Sequence, residues 1–171
     1  MTPPPSARYR FELEAWRAGV ARVAGLDEAG RGPLAGPVVA AAVIISPERR
    51  IRGLRDSKLL PPGRRDELFE LIQRRALAIG VGVVDHETID RVNILQATRL
   101  AMQRALAGLA VPPDLVITDF VALPALACPQ KNLVDGDARC ATVAAASIVA
   151  KVTRDRIMID LDRQFPAYGF A

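Results

Sequence analysis

Between Pro37 and Ser46 the chain is almost entirely Val, Ile and Ala. An apolar run of that length, opened by proline, has no polar face to turn to water. It reads as a strand buried in a sheet. Its surroundings support that reading. Arg22 to Asp27 leads upstream into another apolar strand, followed by a glycine-rich turn, Glu28-Ala29-Gly30-Arg31-Gly32-Pro33. Downstream, Pro61-Pro62 opens a helix to about Leu77, with Leu68, Phe69, Leu71 and Ile72 on one side. Ala78 to Val84 is a strand. Asp85 to Val92 is a short helical segment, with Asp85 and Thr88 as candidate caps. Ile94 to Ala110 is a helix that ends before Pro112-Pro113. Leu115 to Thr118 is a short buried strand delivering Asp119. Residues 124–129 are loop, and Gln130 to Val134 is a strand. Asp137 precedes a long helix from Ala138 to Phe165. Strands and helices mixed in this way predict an α/β domain with one central sheet. At the other end, residues 1–8 are Pro-rich and expected to be disordered. Residues 9–18 form a short helix stopped by Gly19, and Arg49 to Leu60 is a polar loop.

Half of the 171 residues are hydrophobic and only 5% aromatic, so the core is aliphatic and a disordered chain is excluded. The net charge of +4 suits a polyanionic partner. Arginine carries most of the positive charge and favours bidentate phosphate contacts. Cys128 and Cys140 form no CxxC and have no His nearby, so neither a zinc site nor a disulfide is expected. No apolar run reaches the roughly 18 residues of a membrane span. The first residues, Met1-Thr-Pro-Pro-Pro, lack signal-peptide character. A cytoplasmic protein without membrane contact is expected. The single histidine, His86, reads as a surface or capping residue, and no Ser-His-Asp or Cys-His pattern is present.

Asp27 and Glu28 sit where an apolar strand runs into the glycine turn. Asp119 ends another buried strand, and Asp137 stands at the start of the long helix. Strand ends on one side of a sheet converge, so these acids can cluster. Mg²⁺ and Mn²⁺ prefer such hard oxygen ligands. Adjacent strand residues point to opposite faces, so Asp27 and Glu28 share an ion only if the strand ends there and bends. The residues alone leave a second reading open, with Asp27 as a turn former and Asp137 as a helix cap. Gly30-Arg31-Gly32 lets backbone N–H groups approach a sugar or phosphate, or is simply a tight turn. It is neither a P-loop nor a dinucleotide fingerprint. Arg55, Ser57 and Lys58 in one loop, and Ser147, Lys151 and Arg154 on the long helix, are candidate phosphate contacts. The small residues Ala144 to Ala150 suit close helix packing, and Lys151 with Asp155 suits an exposed ion pair.

Together these segments resemble ribonuclease HII. Gly25-Leu26-Asp27-Glu28-Ala29-Gly30-Arg31-Gly32-Pro33 is similar to that family's opening motif, and Arg55-Asp56-Ser57-Lys58 to its second. Ala144-Ala145-Ala146-Ser147-Ile148-Val149-Ala150-Lys151-Val152-Thr153-Arg154-Asp155 is similar to its third. The resemblance runs from about Val23 to Ala171. It implies a ribonuclease H-like α/β fold, a central mixed sheet flanked by helices. Residues 22–171 would be the catalytic domain and residues 1–21 a partly disordered extension. It implies four metal-binding catalytic acids, Asp27, Glu28, Asp119 and Asp137, holding Mn²⁺ or Mg²⁺, two ions once substrate is bound. Gly30, Arg31 and Gly32 would contact the ribose 2′-hydroxyl, which distinguishes RNA from DNA. Arg55, Ser57, Lys58, Ser147 and Lys151 would bind substrate.

The implied activity is endonucleolytic hydrolysis of the RNA strand of RNA–DNA hybrids, including single ribonucleotides in duplex DNA, as in ribonucleotide excision repair. The products carry 3′-hydroxyl and 5′-phosphate ends, and the enzyme is expected to be a monomer. Three positions depart from the family pattern. Asp135 replaces a Lys, Phe120 follows Asp119 where a small residue is usual, and the sequence stops at Tyr168-Gly169-Phe170-Ala171. The family continues there into a His-Lys-Gly-Tyr segment whose Tyr stacks beside the cleaved junction, and Tyr168 is not that residue. Impaired activity or specificity is therefore an expectation. It keeps two alternatives in view: a hybrid-binding protein that does not cut, and another nuclease of the same fold, such as an integrase or junction resolvase.

Overall fold

The computed structural model describes residues 7–170. In chain order its helices and strands are α1 (Arg10–Arg17), β1 (Val23–Ala29), β2 (Val38–Ile44), α2 (Pro62–Arg75), β3 (Ala78–Val84), α3 (His86–Val92) and α4 (Ile94–Ala107). They continue with β4 (Leu115–Asp119), β5 (Gln130–Leu133), α5 (Gly136–Arg139) and α6 (Ala141–Gln164). The apolar run is β2, buried at every residue. The sheet order is β3-β2-β1-β4-β5. β1 pairs antiparallel with β2 and parallel with β4, so it lies at the centre of a mixed sheet.

Alternation along the strands divides the core. Ala41 and Val43 pack with α2 and α6 through Leu68, Ile72, Ala145 and Ile148. Ala24, Leu26, Ala40 and Ala42 pack on the other face with Ala97, Ala101 and Met102 of α4. The alanine-rich stretch of α6 lets the helix press on the sheet. A Cβ added at Gly25 would lie 2.0 Å from the Thr142 carbonyl carbon. The aliphatic core and the α/β class are as expected.

Several boundaries move. The strand expected over Arg22–Asp27 continues through Glu28 to Ala29. The helix expected to reach Leu77 ends at Arg75, and the one expected to reach Ala110 ends at Ala107. The "polar" loop 49–60 carries Ile51 and Leu54, both fully buried. Asp85 is the cap of α3, accepting from the Thr88 N–H at 2.8 Å.

Two differences bear on the site. The long helix does not begin at Ala138. Cys140 is extended (φ −122°, ψ 125°) and separates the single turn α5 from α6. In addition, residues 7 and 8 are packed in place. The Ala7 N–H donates to the Leu54 carbonyl at 2.8 Å, and Arg8 bridges to Cys140. The expectation for residues 1–6 lies outside the described residues. Residues 7–21 pack on the same body as the rest, through buried Ala7, Glu12 and Ala15.

Candidate active site

β1 carries Asp27 and Glu28 to one end of the sheet, β4 carries Asp119 to the same end, and α5 carries Asp137 beside them. All four line one cleft of about 340 Å³. Asp27 does not need the strand to stop. It pairs in register with Ala41, on the face covered by α6, and is only 6% exposed. Glu28 is one residue from the strand end, where a longer side chain reaches the same cleft. Gly30 (φ +107°) then turns the chain away. A Cβ there would meet the Pro37 carbonyl oxygen at 2.5 Å and Arg154 Nε at 2.6 Å, so only glycine fits the turn.

Asp119 is oriented by the Gly136 N–H, which donates to Oδ1 at 2.8 Å. Asp137 lies within α5, so it is not the cap of the long helix. Asp135 stands at that N-terminal position with a left-handed backbone and makes no side-chain cap.

The acids strain one another. Burial, then the neighbouring charge of Glu28, pushes the Asp27 carboxyl well above its ordinary range. Burial raises Glu28 as well, opposed by Arg31, whose Nη1 donates to Oε1 at 3.1 Å. Burial, then repulsion from Asp56 and Asp119, raises Asp137 to about 6. A carboxyl raised in the folded state holds its proton longer than in the unfolded chain. Its stabilising effect is complete below about pH 4 and is lost as the pH rises through about 6. Metal-free protein should therefore lose stability across that window. For a half-buried group the Asp137 share is about 1–2 kcal/mol. Urea unfolding in chelator, wild type against Asp137→Asn, checks this. Parallel pH curves for the two proteins would exclude the contribution.

The cations form the rim. Arg31, Lys58, Lys151 and Arg154 line the cleft with Gly30, Gly32, Ser57 and Ser147. Ser147 donates to Ser57 Oγ at 2.9 Å, and both are nearly buried. Lys151 pairs with Asp155 at 2.5 Å. Arg154 is not a free phosphate grip. It is 7% exposed, and its guanidinium donates to the carbonyls of Pro37 and Ala35 at 3.0 and 2.9 Å, buckling the glycine loop to α6. Of the candidate substrate residues, Arg55 alone does not line the cleft, and its Nε is buried without a partner among the described residues. Sequence reasoning passed over Asp56, which faces Asp137 and caps the turn at Ser57 by accepting from the Lys58 N–H at 2.9 Å. The signal was available: a loop Asp readily accepts from the backbone N–H two residues on, an Asx-turn.

Among the described residues, no three Asp, Glu, His or Cys side chains form a ready-made metal shell. The donor chemistry nevertheless fits a divalent cation. Glu28 Oε2 is buried without a hydrogen-bond partner among the described residues, beside the crowded carboxyls of Asp27 and Asp119. A hard cation would satisfy the first and relieve the second.

The profile of the family described as Ribonuclease HII matches residues 24–171. A curated Ribonuclease HII of Geobacter sulfurreducens is 54% identical over 168 residues, covering 98% of this chain and 77% of that protein. The chain belongs to the ribonuclease HII family. As a family member it is an endoribonuclease, a hydrolase of phosphodiester bonds. The ribonuclease H2 structure from Pyrococcus horikoshii OT3 superposes with a TM-score of 0.75 at 31% identity, over 86% of this chain and 79% of that one. Bst-RNase HIII in complex with Mn²⁺ shares the fold at a TM-score of 0.71 and 21% identity, over 89% of this chain and 57% of that one. The mixed five-stranded sheet with flanking helices is thus the ribonuclease H fold. No helix among the described residues is long and apolar enough to cross a membrane.

Proposed function

We propose that this ribonuclease HII cuts the RNA strand of RNA–DNA hybrids, including a single ribonucleotide within duplex DNA, leaving 3′-hydroxyl and 5′-phosphate ends. The observation that carries this reading is the convergence of Asp27, Glu28, Asp119 and Asp137 on the cleft that also receives the Gly30-Arg31-Gly32 turn. The four acids would hold two Mg²⁺ or Mn²⁺ ions, which when bound supply an acidified water and charge neutralisation at the phosphodiester.

The chain's own groups do the rest. Glycines 30 and 32 leave the turn bare, so backbone amides can approach a ribose 2′-hydroxyl, the group that separates RNA from DNA. Arg31, Lys58 and Lys151 place positive charge around the mouth, where a duplex phosphate backbone would lie. Arg154 and the Ser57–Ser147 hydrogen bond hold that rim rigid, so little ordering is needed when substrate arrives. Residues 22–171 act as the catalytic domain, and residues 7–21 pack onto it. The enzyme works as a monomer in the cytoplasm, in ribonucleotide excision repair.

Cleavage-site mapping on a duplex with one embedded ribonucleotide, in Mn²⁺ and in Mg²⁺, tests this. A single cut on the 5′ side of the ribonucleotide is expected. Equal cutting of an all-DNA duplex would overturn the RNA selectivity. Salt-sensitive binding without cleavage in either metal would overturn catalysis in favour of binding alone.

A further inference from the structure

Glu12 lies upstream of the residues matched by the family profile, on α1. It is fully buried. Its Oε1 accepts three hydrogen bonds: from the Thr142 N–H at 2.7 Å, the Thr142 hydroxyl at 3.0 Å and the Cys140 thiol at 3.2 Å. Its Oε2 is buried and has no partner among the described residues. A carboxylate placed this way is costly, since an unsatisfied buried oxygen forfeits its hydration. A neutral side chain would suit a simple packing role better.

The position explains the choice. α6 has no side-chain cap of its own at Cys140. Glu12 reaches in from α1 and takes the second N–H of that helix, where an anion is favoured by the helix dipole. The same carboxylate grips the extended joint between α5 and α6. The far end of α5 is held by another carboxylate, because the Gly136 N–H donates to Asp119. The single turn carrying Asp137 is therefore suspended between Asp119 and Glu12. The Cys140 N–H closes it onto the Gly136 carbonyl at 2.7 Å. On the sheet side, Gly25 leaves α6 no room to shift toward β1.

We infer that Glu12 is a positioning residue for the reaction: it fixes the α5–α6 joint and thereby sets Asp137 against Asp119 in the cleft. This rests on Asp137 being a working acid of that cleft, as proposed above. Glu12 touches no substrate, and the rim cations do not depend on it. Its loss should therefore fall on turnover and metal use, and spare duplex affinity.

The test compares Glu12→Ala, Glu12→Gln and Thr142→Ala with Asp137→Asn and with Leu68→Ala, a core change on α2. Losing an outer partner of a metal-binding group costs about tenfold. Glu12→Ala should lower kcat by about that factor, raise the Mn²⁺ concentration for half-activation and leave KM for the duplex nearly unchanged. Hydrogen exchange of the substrate-free protein should speed up at residues 136–143 and not along α4. Glu12→Gln keeps one acceptor oxygen and should restore most of kcat. Thr142→Ala should show the same pattern more weakly, and it reads the contact even where Glu12→Ala does not fold.

Wild-type kcat and wild-type exchange at 136–143 in the Glu12 and Thr142 variants would overturn the inference. So would the same kinetic change in Leu68→Ala. An active Asp137→Asn would instead remove the reading on which it rests. An inactive Asp137→Asn beside a normal Glu12→Ala would overturn this inference alone.

Discussion

Asp27→Asn is expected to lower single-turnover cleavage by at least about 100-fold, the scale of losing one preorganised electrostatic group, while making the metal-free protein more stable. The two effects have one cause. Asp27 is buried beside Glu28 and Asp119, and its charge is opposed by burial first and by those neighbours second. Asparagine keeps the shape and removes one of the competing charges. A gain of about 1 kcal/mol would raise the melting temperature of a chain this size by roughly 2–4 °C. The cost appears only in catalysis, where the charge is needed to hold a cation. Cleavage kinetics and melting in chelator measure the two halves separately. An undiminished rate would remove Asp27 from the reaction. A lower melting temperature would show that its charge is compensated in the fold.

Gly25→Ala should have a large effect on stability, a loss of about 3–5 kcal/mol, the scale of a severe overpacking clash. The added Cβ would sit 2.0 Å from the Thr142 carbonyl carbon and 2.3 Å from both the Thr142 oxygen and the Val143 nitrogen. All three are backbone atoms, which cannot rotate away. β1 cannot retreat either, since Gly25 is paired with Val43 on one side and Ile117 on the other. α6 must move instead, taking Ser147 and Lys151 with it. Denaturant unfolding against Gly63→Ala is the comparison, because a Cβ at Gly63 meets nothing within 4 Å. Gly63→Ala should be neutral or slightly stabilising. Equal stability of the two variants would contradict the close packing of α6 on β1.

Elements stabilised by their own residues were readable in advance. β3 runs from Ala78 to Val84 as expected, and Asp85 caps α3 through a contact three residues away. The acids at 27, 28, 119 and 137 could be proposed as a cluster because three of them sit at strand ends of one sheet. What was hidden depends on distant partners. Nothing in Asp137-Ala138-Arg139-Cys140-Ala141 breaks a helix locally. Cys140 is held extended by Arg8 and Glu12, more than a hundred residues earlier. Arg154 looks like a phosphate ligand until its guanidinium is found on the Pro37 and Ala35 carbonyls. Arg55 fails in the opposite way: its loop reaches the cleft while its own half-buried side chain does not line it. A polar residue's role depends on what it meets, and that is set by the tertiary fold.

The central place of β1 also sets the order in which the molecule becomes competent as it is made. β1, β2 and β3 can zip together from neighbouring stretches of chain. The parallel partner of Val23, however, is Leu115, and Asp137 follows later still. Pairings so distant in sequence close late. A growing polypeptide on the ribosome thus carries Asp27 and Glu28 through most of its synthesis without the two acids that would complete the cleft. The cleft can be assembled only after α5 has emerged.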